Sequence, residues 1–227
     1  MRRLLLVLVP ALAAVLVQTH AMEGADIEGL GVTFDVISYA SQEFSIGYMS
    51  DNWSSGTRYE LNGWAQLDSG RVQPGGGVYL FYENRDWKGR SLGGVQETGD
   101  LECFGFGLQG GATINLLPPE KKLGLALVPY ARGGLGFQDF TAKDVIIDNA
   151  RYNLSDSSGR MEVAAGIDLR LTIASKIEVV FGGGVDYWSA ASVYLSAGTG
   201  GAGAAVGSNG TFTGTDAWLR LGAGLHF

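Results

Sequence analysis

The last thirteen residues, Thr215-Asp216-Ala217-Trp218-Leu219-Arg220-Leu221-Gly222-Ala223-Gly224-Leu225-His226-Phe227, constrain the fold more than any other stretch. Ala217, Leu219, Leu221, Ala223, Leu225 and Phe227 fall on one face of a strand, and Asp216, Trp218, Arg220, Gly222, Gly224 and His226 on the other. One apolar face, one polar or small face and an aromatic end suit a strand set between lipid and a lumen. Lipid satisfies no backbone polar group, so such strands must close into a barrel.

The beginning of the chain agrees. Arg2 and Arg3 precede an apolar run from Leu4 to Val17, with small residues at Thr19 and Ala21. This is the pattern of a secretory signal peptide cleaved after Ala21, which predicts a leader over 1–21 and a single barrel domain over 22–227. The apolar run is shorter than the roughly twenty residues a spanning helix needs. Without Arg2 and Arg3, 14 basic residues face 23 acidic ones, a formal charge of −9. That balance argues against nucleic acid, which needs a basic footprint. Cys103 is alone, so no internal disulfide forms. The 36 glycines follow no collagen period and suit a barrel interior and tight turns.

Alternation is cleanest in the second half. Leu123, Leu125, Leu127, Pro129, Ala131, Leu135 and Phe137 share one face; Met161, Val163, Ala165, Ile167, Leu169 and Leu171 follow, then Ile177, Val179, Phe181, Val185 and Tyr187. The charges Arg132, Glu162, Asp168, Arg170, Glu178, Asp186, Asp216 and Arg220 all lie opposite those apolar faces. A charge facing lipid at the midplane costs about 2–4 kcal/mol for Arg or Lys, which is a physical reason for the phase. These eight residues are expected to form a salt-bridged network that fills the lumen and gives it rigidity, with the three arginines facing the five acids across neighbouring strands. A soluble sandwich also alternates, but its apolar face would be a packed core.

The first half is noisier. Tyr59, Leu61, Ala65 and Leu67 alternate with Glu60, Asn62, Trp64 and Gln66, whereas Val78 to Glu83 leaves the phase ambiguous. Phe104, Phe106, Leu108, Ala112, Ile114 and Leu116 face out, opposite Cys103, Gly105 and Gly107. Three connectors read as short (Asp68–Pro74, Leu117–Lys122, Ala174–Lys176) and four as long polar loops (Ser50–Thr57, Asn84–Asp100, Asp139–Gly159, Ser189–Gly214). Long and short alternate strictly, as in a barrel with periplasmic termini, short periplasmic turns and long extracellular loops. The expected fold is all-β, a closed antiparallel transmembrane β-barrel of eight strands, with ten as the alternative.

The segment Val128-Pro129-Tyr130-Ala131-Arg132-Gly133-Gly134-Leu135-Gly136-Phe137 and the C-terminal strand resemble the small bacterial outer-membrane β-barrel superfamily of OmpA and OmpX type. The resemblance implies outer-membrane localisation, with outer-membrane lipid and lipopolysaccharide as partners. Phe227 resembles the terminal signal that the barrel-assembly machinery of that family reads, so it is expected to carry assembly. The peptidoglycan-binding domain found in OmpA is not expected here. The resemblance implies no specific activity.

Enzymatic readings lack a base. His20 leaves with the leader, and His226 sits on the lumen face beside the C-terminus, so a histidine-based triad cannot be assembled. The Gly- and Ala-rich stretch Ser196–Thr215 lacks the lysine of a phosphate-cradling loop. Asp144, Asp148 and Asp156 read as solvated loop carboxylates. No catalytic, metal or cofactor residues are expected. The expected role is structural, adhesive or surface-interacting, through extracellular loops. A small cation-preferring pore is the alternative, since three positive and five negative lumen groups would favour cations. A lipid-modifying enzyme stands third.

Overall fold

The computed structural model describes residues 27–46, 49–67, 71–92, 94–117, 123–147, 150–199 and 202–227. They form eight strands: β1 (Ile27–Ile46), β2 (Met49–Leu67), β3 (Val72–Leu92), β4 (Val95–Leu117), β5 (Leu123–Ile147), β6 (Ala150–Ile173), β7 (Ile177–Thr199) and β8 (Ala202–His226). Each pairs antiparallel with its chain neighbour, and β8 pairs with β1 to close the barrel. The strand count is eight, not ten. The expected leader over residues 1–21 lies outside the described residues.

The strands are long, from 19 residues in β2 to 25 in β5 and β8. A tilted strand needs only about 9–11 residues to span a bilayer. The difference corrects the expected loops. Ser50–Thr57 lies wholly within β2, and most of Asn84–Asp100, Asp139–Gly159 and Ser189–Gly214 is paired strand. Short connectors fall between β2 and β3, β4 and β5, and β6 and β7 as expected, although Val72–Pro74 and Leu117 belong to β3 and β4. Between β6 and β7, Ala174 and Ser175 both take positive φ (52° and 58°), and Lys176 N–H donates to the Ile173 carbonyl at 3.1 Å. Two left-handed central residues make a type I′ hairpin turn, whose twist matches the flanking strands.

The outer face changes character within one step of the ladder. Val36, Tyr59, Tyr82, Phe104 and Phe137 are successive cross-strand partners on β1 to β5, and all are exposed. Two residues along each strand, Ser38, Thr57, Asn84, Glu102, Asp139 and Ser157 form the next outward row. Below this boundary, towards the short turns, the outward positions are Phe106, Leu108, Leu135, Val163, Ile167, Phe181, Leu219, Leu221 and similar residues. Above it, the outward residues whose exposure is described, such as Asn84, Asp86, Lys88, Glu102, Asp139, Thr141 and Lys143, are polar. A soluble sandwich is thereby excluded, since Phe137 is 79% and Leu108 66% exposed rather than packed in a core. The apolar belt with its aromatic upper ring is the surface of a barrel in lipid, and the remainder of each strand extends above it.

The interior is narrow, and glycine makes room in it. A Cβ on Gly31 would collide with the Trp64 indole, and one on Gly107 with the Tyr79 phenol and the Gly133 carbonyl. Eight strands leave just enough width to be filled by side chains.

Candidate functional site

Chemistry concentrates in the lumen. Every second residue of each strand points inward, and from Asp35 upward many of these are charged. Among the described residues six arginines are buried there (Arg58, Arg85, Arg132, Arg160, Arg170, Arg220). Nine acids accompany them (Asp35, Glu60, Glu83, Glu97, Glu162, Asp168, Glu178, Asp186, Asp216).

Arg58 on β2 is central. Its Nη1 and Nη2 donate to the two carboxylate oxygens of Glu162 on β6 at 2.8 and 2.7 Å, its Nε lies 2.6 Å from Glu60, and its guanidinium stacks 3.6 Å above the Phe81 ring. Tyr79 donates to the same Glu162 at 3.1 Å. Arg160 binds Glu83 at 2.7 Å and lies 3.4 Å from Glu162. Arg132 on β5 reaches Glu60 on β2 at 2.8 Å. Arg85 on β3 pairs with Glu83 and crosses to Asp216 on β8, which also accepts from Trp188 Nε1 at 2.9 Å. Lower in the barrel, Arg220 pairs with Asp168 at 2.9 Å and lies 3.5 Å from Asp35. Arg170 lies 3.3 Å from Glu178 and 3.7 Å from Asp168, with its guanidinium over Trp64.

All eight charges picked out by alternation point inward; Arg170 and Arg220 pair with Asp168 and Glu178 inside that set, but others find partners outside it. Glu162 and Asp216 are held by Arg58, Arg160 and Arg85, none of which belongs to that set, and Arg132 is held by Glu60. Many pairs cross the lumen instead of linking neighbours. Neither oxygen of Asp186 has a hydrogen-bond donor among the described residues. Arg85 escapes the alternation rule because it lies in a segment that reads as a loop, and Arg58 and Arg160 because they border one.

Above the ion-paired charges the lumen turns largely apolar, with Glu97 as the buried acid there. Leu101, Phe140, Trp87, Ala142 and Val145 are buried there, and Trp87 meets Phe140 edge to face at 5.6 Å. At the opposite end a cavity of ≈ 30 Å³ is lined by Trp64, Gln66, Thr113, Tyr130 and Arg170 among others. It has room for about two waters. His226 packs edge-on against Trp64 at 5.4 Å. Cys103 is buried beside Tyr79 and Phe81. Among the described residues no group of three or more His, Cys, Asp or Glu is placed to hold a metal ion.

No protein-family model and no curated protein matches the chain in sequence. Solved structures resemble it at low identity. The attachment invasion locus protein Ail of Yersinia pestis is 12% identical, with 88% of this chain and 98% of that chain covered and a TM-score of 0.40. A major outer membrane protein from Thermus thermophilus is 15% identical, covering 87% and 99%, with a TM-score of 0.43. The outer membrane protein OprG of Pseudomonas aeruginosa is 12% identical, covering 90% and 98%, with a TM-score of 0.38. The chain's own strand number, closed up-and-down pairing and lipid-facing belt make it a small eight-stranded β-barrel of the outer-membrane type.

Proposed function

We propose that the protein is a non-conducting outer-membrane barrel that holds a rigid, polar β-extension above the membrane as a surface for structural or adhesive contacts. In this reading the leader over 1–21 is removed on export, the barrel-assembly machinery engages the C-terminal strand ending at Phe227, and lipopolysaccharide surrounds the belt. The termini and short turns face the periplasm, and the extension faces outward. The observation that carries the reading is the abrupt change from the Tyr59, Tyr82, Phe104 and Phe137 row to the Thr57, Asn84, Glu102 and Asp139 row. Above that step β5 continues from Asp139 to Ile147, about 30 Å of strand, and as far as Val145 its exterior is polar and its interior apolar. Such a length has no role in spanning lipid. The crossed ion pairs and the Trp87–Phe140 layer weigh against a pore.

The test uses cells carrying the barrel. An amine reagent that cannot cross membranes should label Lys88 and Lys143, which are exposed on the extension. Cutting the hairpins back to the aromatic row should leave the amount of barrel unchanged and lower attachment of the cells to protein-coated surfaces. Unchanged attachment, or steady single-channel conductance of the purified protein in a planar bilayer, would overturn the reading.

A further inference from the structure

We propose that the cavity at the short-turn end of the lumen is a binding site for a small uncharged amide, an acetamide-sized group whose carbonyl oxygen accepts from Arg170.

The cavity, ≈ 30 Å³ and open on one side, lies a few residues from the short-turn ends of β2 to β6. Trp64 and Val128 give it apolar walls, and Gln109, Thr113, Tyr130 and Arg170 give it polar ones. Arg170 stands apart from the other five buried arginines. Each of those has a carboxylate oxygen within 2.9 Å, whereas the nearest to Arg170 is 3.3 Å away, on Glu178. Its side chain keeps 9% of its surface exposed, against 1% or less for the others. Arg170 Nε and Glu178 Oε1 both lack a hydrogen-bond partner among the described residues. The guanidinium rests 4.7 Å from the Trp64 ring centre, so it flanks the cavity without being tied down there.

The lining is rich in unspent donors. Thr113 Oγ already accepts from Gln66 and Tyr130 Oη from Arg220, so each hydroxyl keeps its proton to give. Arg170 donates and cannot accept. The fitting occupant is therefore an acceptor. A further anion is disfavoured, because Asp35, Asp168 and Glu178 already outnumber Arg170 and Arg220 at this end of the lumen. A charge buried there would find no counter-ion of its own. An uncharged carbonyl meets the donors without that cost. The amide side chain of Gln109 gives and takes hydrogen bonds at once, which suits a ligand amide better than a ketone or an ester. Size agrees: the carbonyl and nitrogen of one amide replace the roughly two waters that the cavity holds, and Val128 and Trp64 receive a methyl group.

The experiment is NMR of the intact barrel in lipid nanodiscs during titration with acetamide. The reporters are the Arg170 Nε–H and the Trp64 Nε1–H, two buried donors that have no partner among the described residues. The expected result is a saturable shift of both at roughly millimolar acetamide, the range open to so small a ligand, and none with acetate. Val128→Leu adds a methylene to the cavity and leaves every charge in place, so the barrel should fold and the shift should be lost. Arg170→Lys keeps the charge beside Glu178 but loses the planar fork, and should weaken binding about tenfold, read on Trp64. N-acetylglucosamine distinguishes the sources of the group. A matching shift with it supports a site for an amide carried on a larger molecule, and a shift with acetamide alone supports a site for free small amides. No shift with acetamide leaves the cavity to water and overturns the proposal. A shift that survives Val128→Leu, or acetate binding as tightly as acetamide, also overturns it.

Discussion

Arg58 on β2 grips Glu162 on β6 with both terminal nitrogens, at 2.8 and 2.7 Å, and these strands stand four apart in a ring of eight. The pair therefore spans the barrel rather than one side of it. Both residues are also tied to others, Arg58 to Glu60 and Glu162 to Arg160 and Tyr79. Cross-linking opposite walls at a buried site makes the lumen stiff, and makes each member costly to remove alone.

Arg58→Ala should destabilise the barrel by about 3–5 kcal/mol, because Glu162 and Glu60 are left buried and under-compensated. The double variant Arg58→Met with Glu162→Met should cost much less than the sum of the two single changes, since it removes both charges while keeping volume. Urea unfolding in lipid vesicles of the wild type, both singles and the double gives the coupling directly.

An arginine moved along the outside should report where lipid ends. Leu221→Arg, on the belt, should cost about 2–4 kcal/mol of folding free energy in vesicles. Thr141→Arg faces outward two residues above Asp139 and should cost about 1 kcal/mol or less. Equal costs at the two sites would mean that the aromatic row does not mark the membrane edge.

The same boundary explains what can be read from the sequence. On β5 the outward residues Leu135 and Phe137 are apolar and the inward Arg132 is charged, so alternation with apolar residues out identifies the strand. Two steps later Asp139 and Thr141 face out while Phe140 and Ala142 face in. The period of two continues unbroken, but the apolar residues have changed face, because the outside is now water. A rule that places apolar residues outward loses the strand there and reports a polar loop. Arg85 escapes it for this reason. In β3 the difficulty is different: Tyr79 and Phe81 fill the lumen while Val78, Leu80 and Tyr82 face lipid, so both faces are apolar and no phase stands out. Pairing partners are not legible either, since a cross-lumen contact such as Arg132 with Glu60 depends on the closed shape and not on spacing along the chain.

The apolar interior of the extension should be separable from the belt. Trp87 and Phe140 are both buried and meet at 78° between ring planes. Truncating either to Ala should cost about 3–5 kcal/mol locally, with about 0.5–1.5 kcal/mol of coupling between them. The expected readout is faster proteolysis of the extension, with the boiling-dependent gel shift of the belt retained because the ion pairs beneath are untouched. Loss of the gel shift in Trp87→Ala would show that the extension and the belt fold as one unit.

Phe227 offers a way to separate assembly from stability. Its backbone N–H donates to the Leu30 carbonyl at 2.8 Å and its carbonyl accepts from Leu30 N–H at 3.2 Å, which closes the last step between β8 and β1. Its ring is 71% exposed on the lipid side. Phe227→Ala keeps both main-chain bonds and removes only the ring, so folding of the purified chain into vesicles should change by about 1 kcal/mol or less. Deleting the residue removes both bonds as well, at about 0.5–1.5 kcal/mol each. If the ring is read as an assembly signal, Phe227→Ala should lower the amount of barrel in the outer membrane of cells as severely as the deletion does, despite its milder effect in vesicles. A variant that reaches the membrane at wild-type levels would reduce Phe227 to a seam-closing residue, and the assembly role would pass to other residues of β8.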